Sequence, residues 1–344
     1  MRMRLLGRTG LLVSEFALGT MTFGQEADEP AAMALLDHYI EAGGNLVDTA
    51  DVYPPPGPKG TSEEMIGRWL KRHPEKRDSI VLATKCRGRM DPSGNAEGLS
   101  RHWIVRACEG SLRRLQTDHI DLYQAHSWDP ATPIEETLAA FDQLVRSGKV
   151  RYIGVSNFSG WQLERSVLLA RQAGLSVPVS LQPQYSMLAR EIEWELVPVC
   201  LEEGLSILPW GPLAQGWLSG KYSRDTAPTG ATRLGEDPNR GVEAYDRRNT
   251  ERTWRIVEAV QAIATQLGVP PARVALRWLA DRPGVAAPIL GARRVEQLRD
   301  NLGATEVTLD EEQRAHLDDV SAPVTPDYPY RVLAEGTAER RRLL

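Results

Sequence analysis

Lysine is scarce in this chain: among 41 basic residues the only lysines are Lys59, Lys71, Lys76, Lys85, Lys149 and Lys221. A lysine inside an apolar strand is therefore conspicuous. Cysteine is scarcer still. Cys86, Cys108 and Cys200 form an odd, widely separated set without metal spacing, which speaks against a disulfide framework and a structural zinc and implies a reducing cytoplasm. No apolar run approaches the ~18 residues of a membrane-spanning helix, and the N-terminal MRMRLLGRTG lacks the apolar stretch of a signal peptide. A formal net charge of -5 leaves no basic surplus for nucleic acid. Missing too is the dinucleotide-binding fingerprint G-x-G-x-x-G, since none of the 29 glycines is followed by another two positions on. The composition that remains, 42% hydrophobic and 25% charged over 344 residues, is that of an ordinary globular chain with enough length for a full core.

What is present is an alternation. Strand-like apolar runs occupy 15–20 (EFALGT), 45–50 (NLVDTA), 79–86 (SIVLATKC), 119–126 (HIDLYQAH), 150–157 (VRYIGVSN), 179–184 (VSLQPQ), 205–211 (LSILPWG) and 285–290 (VAAPIL). Amphipathic helical stretches separate them: Pro30 to Ala42, Ser62 to Arg72, Ser100 to Gln116, Pro133 to Ser147, Gly160 to Ala173, Glu191 to Glu203 and Thr250 to Leu267. Eight such units predict one parallel sheet closed into a (β/α)8 barrel, preceded by a short hairpin in RLLGRTGLLVSE. No linker divides residues 1–322, so they read as one barrel domain, with 323–344 as a C-terminal tail that folds over the mouth or makes a subunit contact. Residues 213–249, after the seventh strand, are too long for an ordinary barrel connection and read as a lid over a ligand.

In such a barrel the chemistry sits at the C-terminal strand ends, and here those ends are polar. In order they are Gly19-Thr20, Asp48, Lys85, His126, Ser156-Asn157, Gln182, Trp210-Gly211, and Gly291 followed by Arg293 and Arg294. Lys85 follows the apolar IVLAT, where burial is costly unless an anion stands near, and Asp48 on the neighbouring strand would supply one. Tyr53 lies five residues past Asp48. A lysine cation beside its phenol is expected to lower the phenol pKa and make it a usable acid, with His126 bonding a substrate oxygen. Taken singly, Asp48 reads equally as a strand-end cap, Tyr53 and Trp210 as core aromatics, and Asn157 and Gln182 as turn residues. It is their common register that points to a site.

The segments LGTMTFG, DTADVY, ATK, DLYQAH, GVSNFS, LQPQYS, PWGPLAQGWLSGKY and PILGARRVEQLRDNL each resemble, in order from about Leu6 to Asn301, a segment of the aldo-keto reductases. That family consists of barrel oxidoreductases that use a nicotinamide cofactor without a Rossmann domain. The resemblance implies Tyr53 as general acid, Asp48 and Lys85 as its tuning pair and His126 as the residue that orients substrate. It implies a cofactor site of Gly19, Thr20, Met21, Asp48, Ser156, Asn157 and Gln182, with Trp210 stacked on the nicotinamide. Gly211, Pro212, Leu213, Gln215, Gly216 and Lys221 would follow the pyrophosphate, and Gly291, Arg293, Gln297 and Asn301 the adenosine end. Met21, Phe23, Tyr53 and Trp128 are the expected substrate walls, with Trp128 equally readable as rim packing. NADPH is expected ahead of NADH, a preference that rests on the guanidinium of Arg293 because Gly291, Ala292 and Gln297 replace the family's stronger phosphate-binding residues. The expected partner is a small carbonyl substrate, with neither nucleic acid, membrane nor metal. Two other enzyme readings stand beside this one, an alcohol or sugar dehydrogenase and a reductase of nucleotide-linked keto-sugars. A third, from another class, is a nicotinamide-sensing regulatory subunit such as the potassium-channel β subunits.

Overall fold

The computed structural model describes residues 1–332 apart from 225, 231 and 240, so the end of the expected 323–344 tail lies outside the described residues. The chain opens with β1 (Met3–Leu5) and β2 (Leu12–Ser14). It then alternates β3 (Ala17–Gly19), α1 (Glu29–Glu41), β4 (Leu46–Asp48), α2 (Thr61–Arg72), β5 (Val81–Cys86), α3 (Arg101–Leu115), β6 (Ile120–Ala125) and α4 (Ile134–Arg146). The alternation continues through β7 (Val150–Ser156), α5 (Gly160–Gln172), β8 (Ser180–Gln182), α6 (Leu196–Glu203) and β9 (Ser206–Ile207). A long connection carrying the short helices α7 (Arg233–Glu236) and α8 (Tyr245–Arg248) leads to α9 (Glu251–Leu267), α10 (Pro271–Ala280), β10 (Ile289–Gly291), α11 (Val295–Leu302) and α12 (Glu311–Val320).

The eight strands from β3 to β10 pair in parallel in the order β10-β3-β4-β5-β6-β7-β8-β9. The remaining seam, between β9 and β10, is where the sequence places Pro209 and Pro288. Neither residue has an N–H, so the ladder breaks into separate bonds: Ile207 N to Gly284 O (2.8 Å), Ala286 N to Ile207 O (2.9 Å) and Ile289 N to Pro209 O (2.8 Å). These bonds close the expected (β/α)8 barrel, and they explain why the apolar runs at 205–211 and 285–290 yield such short strands. Helix starts follow their caps. The Asp28 carboxylate accepts from Ala31 N at 3.0 Å ahead of α1, and Ser100 and Thr250 cap α3 and α9 in the same way. The stretch expected as one helix from Glu191 to Glu203 is instead a single turn at Glu191–Glu193 followed by α6. Pro198 is the cause, because only the first turn of a helix tolerates a missing N–H and α6 starts at Leu196. α10 and α12 have no counterpart in the periodicity reading.

Two apolar cores result from the period-two alternation of the strands. Leu18, Val47, Leu82, Tyr123, Ile153 and Leu181 face outward into the helix layer. Ala17, Leu46, Val81, Ala83, Leu122, Leu208 and Ile289 face inward and form a separate cluster with Leu6 and Val13 of the hairpin, which plugs the N-terminal end. The hairpin turn needs Gly7, whose φ is +58° and where a Cβ would stand 2.5 Å from Val179 O. At the far end of the chain, Tyr330 stacks on Trp194 at 5.5 Å and donates to Glu195 Oε1 at 2.5 Å. The described part of the tail therefore docks on the β8–α6 connection at the C-terminal rim. Among the described residues no helix is long and apolar enough to cross a membrane.

Candidate active site at the C-terminal mouth

The register that makes the lower lumen apolar turns polar at the next inward position. Gly19 pairs with Asp48 and Asp48 with Ala83, Lys85 with Gln124, Gln124 with Gly154 and Ser156 with Gln182. The side chains of this layer are tied to one another. Lys85 Nζ, fully buried, donates to Asp48 Oδ2 at 2.6 Å and to Thr49 O at 2.8 Å. The other oxygen of Asp48 accepts from Gln182 Nε2 at 2.9 Å and from Gln124 Nε2 at 3.3 Å. A buried carboxylate with three donors is well compensated, which is what lets the lysine remain charged there.

Tyr53 comes to this pair from outside the barrel. Its backbone N–H donates to Ala50 O at 3.2 Å and its carbonyl accepts from Ser62 N at 3.3 Å, so the proline-rich loop PPPGPK begins and ends on it. Lys85 Nζ lies 5.1 Å from the centre of its ring, and the His126 ring stands edge-on to it at 5.7 Å and 80°. The expected tetrad of Asp48, Tyr53, Lys85 and His126 is thus assembled from three strands and a loop.

The electrostatics correct one expectation. Tyr53 was expected to have a lowered pKa, yet it is raised: burial is the largest influence, and the Lys85 cation offsets it only in part. The phenol therefore holds its proton at neutral pH. For Lys85, burial favours the neutral amine, but Asp48 and Tyr53 outweigh it and the net shift is upward. His126 falls to about 3 through burial and then the Lys85 and Arg87 cations, so its imidazole is neutral across the physiological range.

Other expected site residues divide into two sets. Asn157, exposed, with a left-handed φ of 55°, donates to His126 O and accepts at Oδ1 from Trp210 Nε1 at 2.9 Å, which fixes the plane of the indole. Met21 and Trp128 are half-buried at the rim. Trp128 packs edge-on against Phe158 and Trp161, each at 5.3 Å. Asn301 is on α11, 5% exposed, and Gln297 Oε1 accepts from Arg293 N at 3.0 Å. The second set is enclosed. Phe23, expected as a substrate wall, is 0% exposed in the apolar core and supports its loop from beneath. Thr20 is equally buried, and its hydroxyl donates to Asp48 O at 3.0 Å and accepts from Ser62 Oγ at 2.8 Å, so it braces the strand end that carries Asp48. Gly19 stands against Ile289, where a Cβ would meet Cγ2 at 2.6 Å. Gln182 and Ser156 spend side-chain donors inside the barrel, on Asp48 and on Gln182 O respectively.

Sequence reading missed Gln124, although a polar residue two places after Leu122 on an inward face is a visible signal. It also missed Asp51, 0% exposed with neither carboxylate oxygen bonded, which burial and then Glu63 hold well above the usual carboxylate range.

The connection after β9 is built, not loose, wherever it is described. Trp217, fully buried, stacks on Tyr245 at 5.6 Å and 13° and donates to Glu243 O at 3.1 Å. Glu243 is 2% exposed and pairs with Gln184 and Arg248. Pro212 is buried and Leu213 half-buried beneath it. Ala214 and Gln215 take left-handed φ values of 47° and 55°, a strain typical of ligand loops. Gln215 Oε1 is buried without a partner, and Lys221 folds back beside Gly216. A Cβ at Gly211 or at Gly291 would meet nothing within 4 Å. Open backbone at both ends and an orphaned acceptor between them fit an elongated polar ligand such as a dinucleotide. At the far end Arg293 is bound to Glu26 and Glu236.

At the mouth of a closed (β/α)8 barrel the structure thus gathers a protonated phenol, a lysine cation held by Asp48 and a neutral imidazole. The model of the Aldo/keto reductase family matches residues 15–322. The "Uncharacterized oxidoreductase YrpG" of Bacillus subtilis (strain 168) is 40% identical over 320 residues, covering 92% of this chain and 94% of that one. "Protein tas" of Escherichia coli (strain K12) is 36% identical over 348 aligned residues, covering 93% of this chain and 97% of that one. A "Probable voltage-gated potassium channel subunit beta" of Oryza sativa subsp. japonica is 35% identical over 314 residues, covering 89% and 92%. The chain belongs to the aldo/keto reductase family, a membership that supports a carbonyl-reducing oxidoreductase.

Proposed function

We propose that the chain is an NADPH-dependent reductase of aldehydes or ketones, acting in the cytoplasm on a small carbonyl substrate. The observation that carries this reading is the Lys85 ammonium, held by Asp48 at 2.6 Å and set against the Tyr53 ring. When bound, the reduced nicotinamide supplies hydride to the carbonyl carbon. The chain supplies the rest. His126, neutral, offers an N–H to the carbonyl oxygen without competing for its proton. Tyr53 transfers its proton to that oxygen as negative charge develops, and the phenolate left behind faces Lys85, whose cation stabilises it at that moment and hardly before. Asn157 and Trp210 would hold the nicotinamide, the 211–221 segment the pyrophosphate, and Arg293 the adenosine phosphate.

The test is oxidation of NADPH and NADH, followed by absorbance, against aromatic and aliphatic aldehydes, diketones and keto-sugars, with Tyr53→Phe as control. Turnover that vanishes in the control supports the reading; activity that survives it removes Tyr53 from the role of acid. The same panel run with alcohols tests the dehydrogenase direction. The likeness to the rice channel subunit favours one second reading, a nicotinamide-binding regulatory subunit, whose signature is cofactor binding without turnover on any member of the panel.

A further inference from the structure

Arg293 follows β10 directly, and each of its three guanidinium nitrogens already donates. Nε meets Glu26 Oε2 at 2.6 Å, while Nη1 and Nη2 meet the two carboxylate oxygens of Glu236 at 2.8 and 3.1 Å. The partners come from two separate stretches of the chain: Glu26 from the loop after β3, Glu236 from the end of α7 inside the long connection. Glu236 holds the guanidinium fork-to-fork, the geometry a phosphate group would use. The two carboxylates are unequal. The Glu26 side chain is 9% exposed and meets Arg293 at Nε, whereas the Glu236 side chain is 44% exposed on a four-residue helix. The first is enclosed with the arginine, whereas the second is nearly half exposed.

We propose that Glu236 is a specificity-setting residue, its carboxylate standing on the Arg293 fork where the 2'-phosphate of NADPH must stand, so that NADPH has to displace it and NADH does not. The inference rests on the reading that Arg293 meets the 2'-phosphate. A phosphate of about −1.5 to −2 charge and a carboxylate cannot share one fork without strong repulsion. A ribose hydroxyl, by contrast, can donate to a carboxylate left in place. Glu26 remains on Nε in both cases and orients the fork.

The experiment is equilibrium titration of the full chain with NADPH and with NADH, read by tryptophan fluorescence, for the native protein, Glu236→Gln and Arg293→Gln. Glu236→Gln is expected to tighten NADPH roughly fivefold and to change NADH less than about twofold. Arg293→Gln is expected to weaken NADPH by more than about tenfold and to spare NADH. If Arg293→Gln affects both cofactors alike, the 2'-phosphate reading fails and the inference with it. If Arg293→Gln behaves as expected while Glu236→Gln leaves the NADPH-to-NADH ratio unchanged, or weakens both, the inference alone is overturned. Glu236→Ala, which removes the carboxylate with its stem, must move the ratio in the same direction as Glu236→Gln.

Discussion

In the lower half of the barrel Leu46, Val81, Ala83 and Leu122 point inward and meet Leu6 and Val13 of the hairpin. Two residues further along the same strands, Asp48, Lys85 and Gln124 point inward instead and bond to one another. The same backbone thus builds a dry plug and a charged layer. The difference teaches how a reactive site is tolerated. Burying Asp48 and Lys85 costs desolvation that their mutual attraction offsets only with further bonds, those of Lys85 to Thr49 O and of Gln124 and Gln182 to Asp48. The apolar half, which has no such condition to meet, supplies cohesion. On this view substitutions below should change stability and spare catalysis, while those above should change catalysis and, where they orphan a charge, stability as well.

The sharpest test is Tyr53→Phe. Removing a positioned general acid costs about 10²–10⁴ in rate, so turnover should fall about a thousandfold while cofactor affinity stays within about twofold. Next is Lys85→Met, which leaves Asp48 buried without its cation and should cost about 3–5 kcal/mol as well as activity. Adding Asp48→Asn should return part of that stability in urea denaturation and none of the turnover; a double variant no more stable than the single would show that the ion pair is not the origin of the loss. Leu122→Ala, in the dry half, should cost about 2–5 kcal/mol and leave kcat/KM of the folded protein within about twofold. A large kinetic defect there would break the division between the two ends.

The last effect is confined to acid pH. The His126 pKa is lowered from 6.5 in its ordinary state to about 3 in the fold, so between those values the unfolded chain binds the extra proton. Stability is then complete above about pH 6.5 and declines as pH falls towards 3. His126→Gln should flatten part of that acid limb in thermal melts, and no kinetic limb between pH 5 and 8 should belong to His126. An unchanged acid limb in the variant would mean that His126 is not the group being protonated.

Much of the fold was legible because its signals are local. Alternating apolar residues, caps such as Asp28 and Ser100, and glycine stops each act over a few positions, and eight repetitions leave few closed arrangements. Pro198 and Pro209 moved element boundaries for equally local reasons, visible once the neighbouring strand or turn is known. Asp48, Tyr53, Lys85 and His126 were legible because each is chemically out of place in an apolar context. Phe23 and Thr20 were not, since a loop residue next to a site looks the same whether it faces ligand or core.

By itself the sequence determined which residues are polar at the strand ends, and therefore which groups meet at the barrel mouth. Only the tertiary structure decided their state. Whether Tyr53 is acidic or loaded depends on the balance of burial against a cation from another strand, and whether Arg293 is open or clasped depends on Glu26 and Glu236, 267 and 57 residues away along the chain. Periodicity is carried by neighbouring residues, whereas desolvation and charge act through space, across distances that the order of residues does not record.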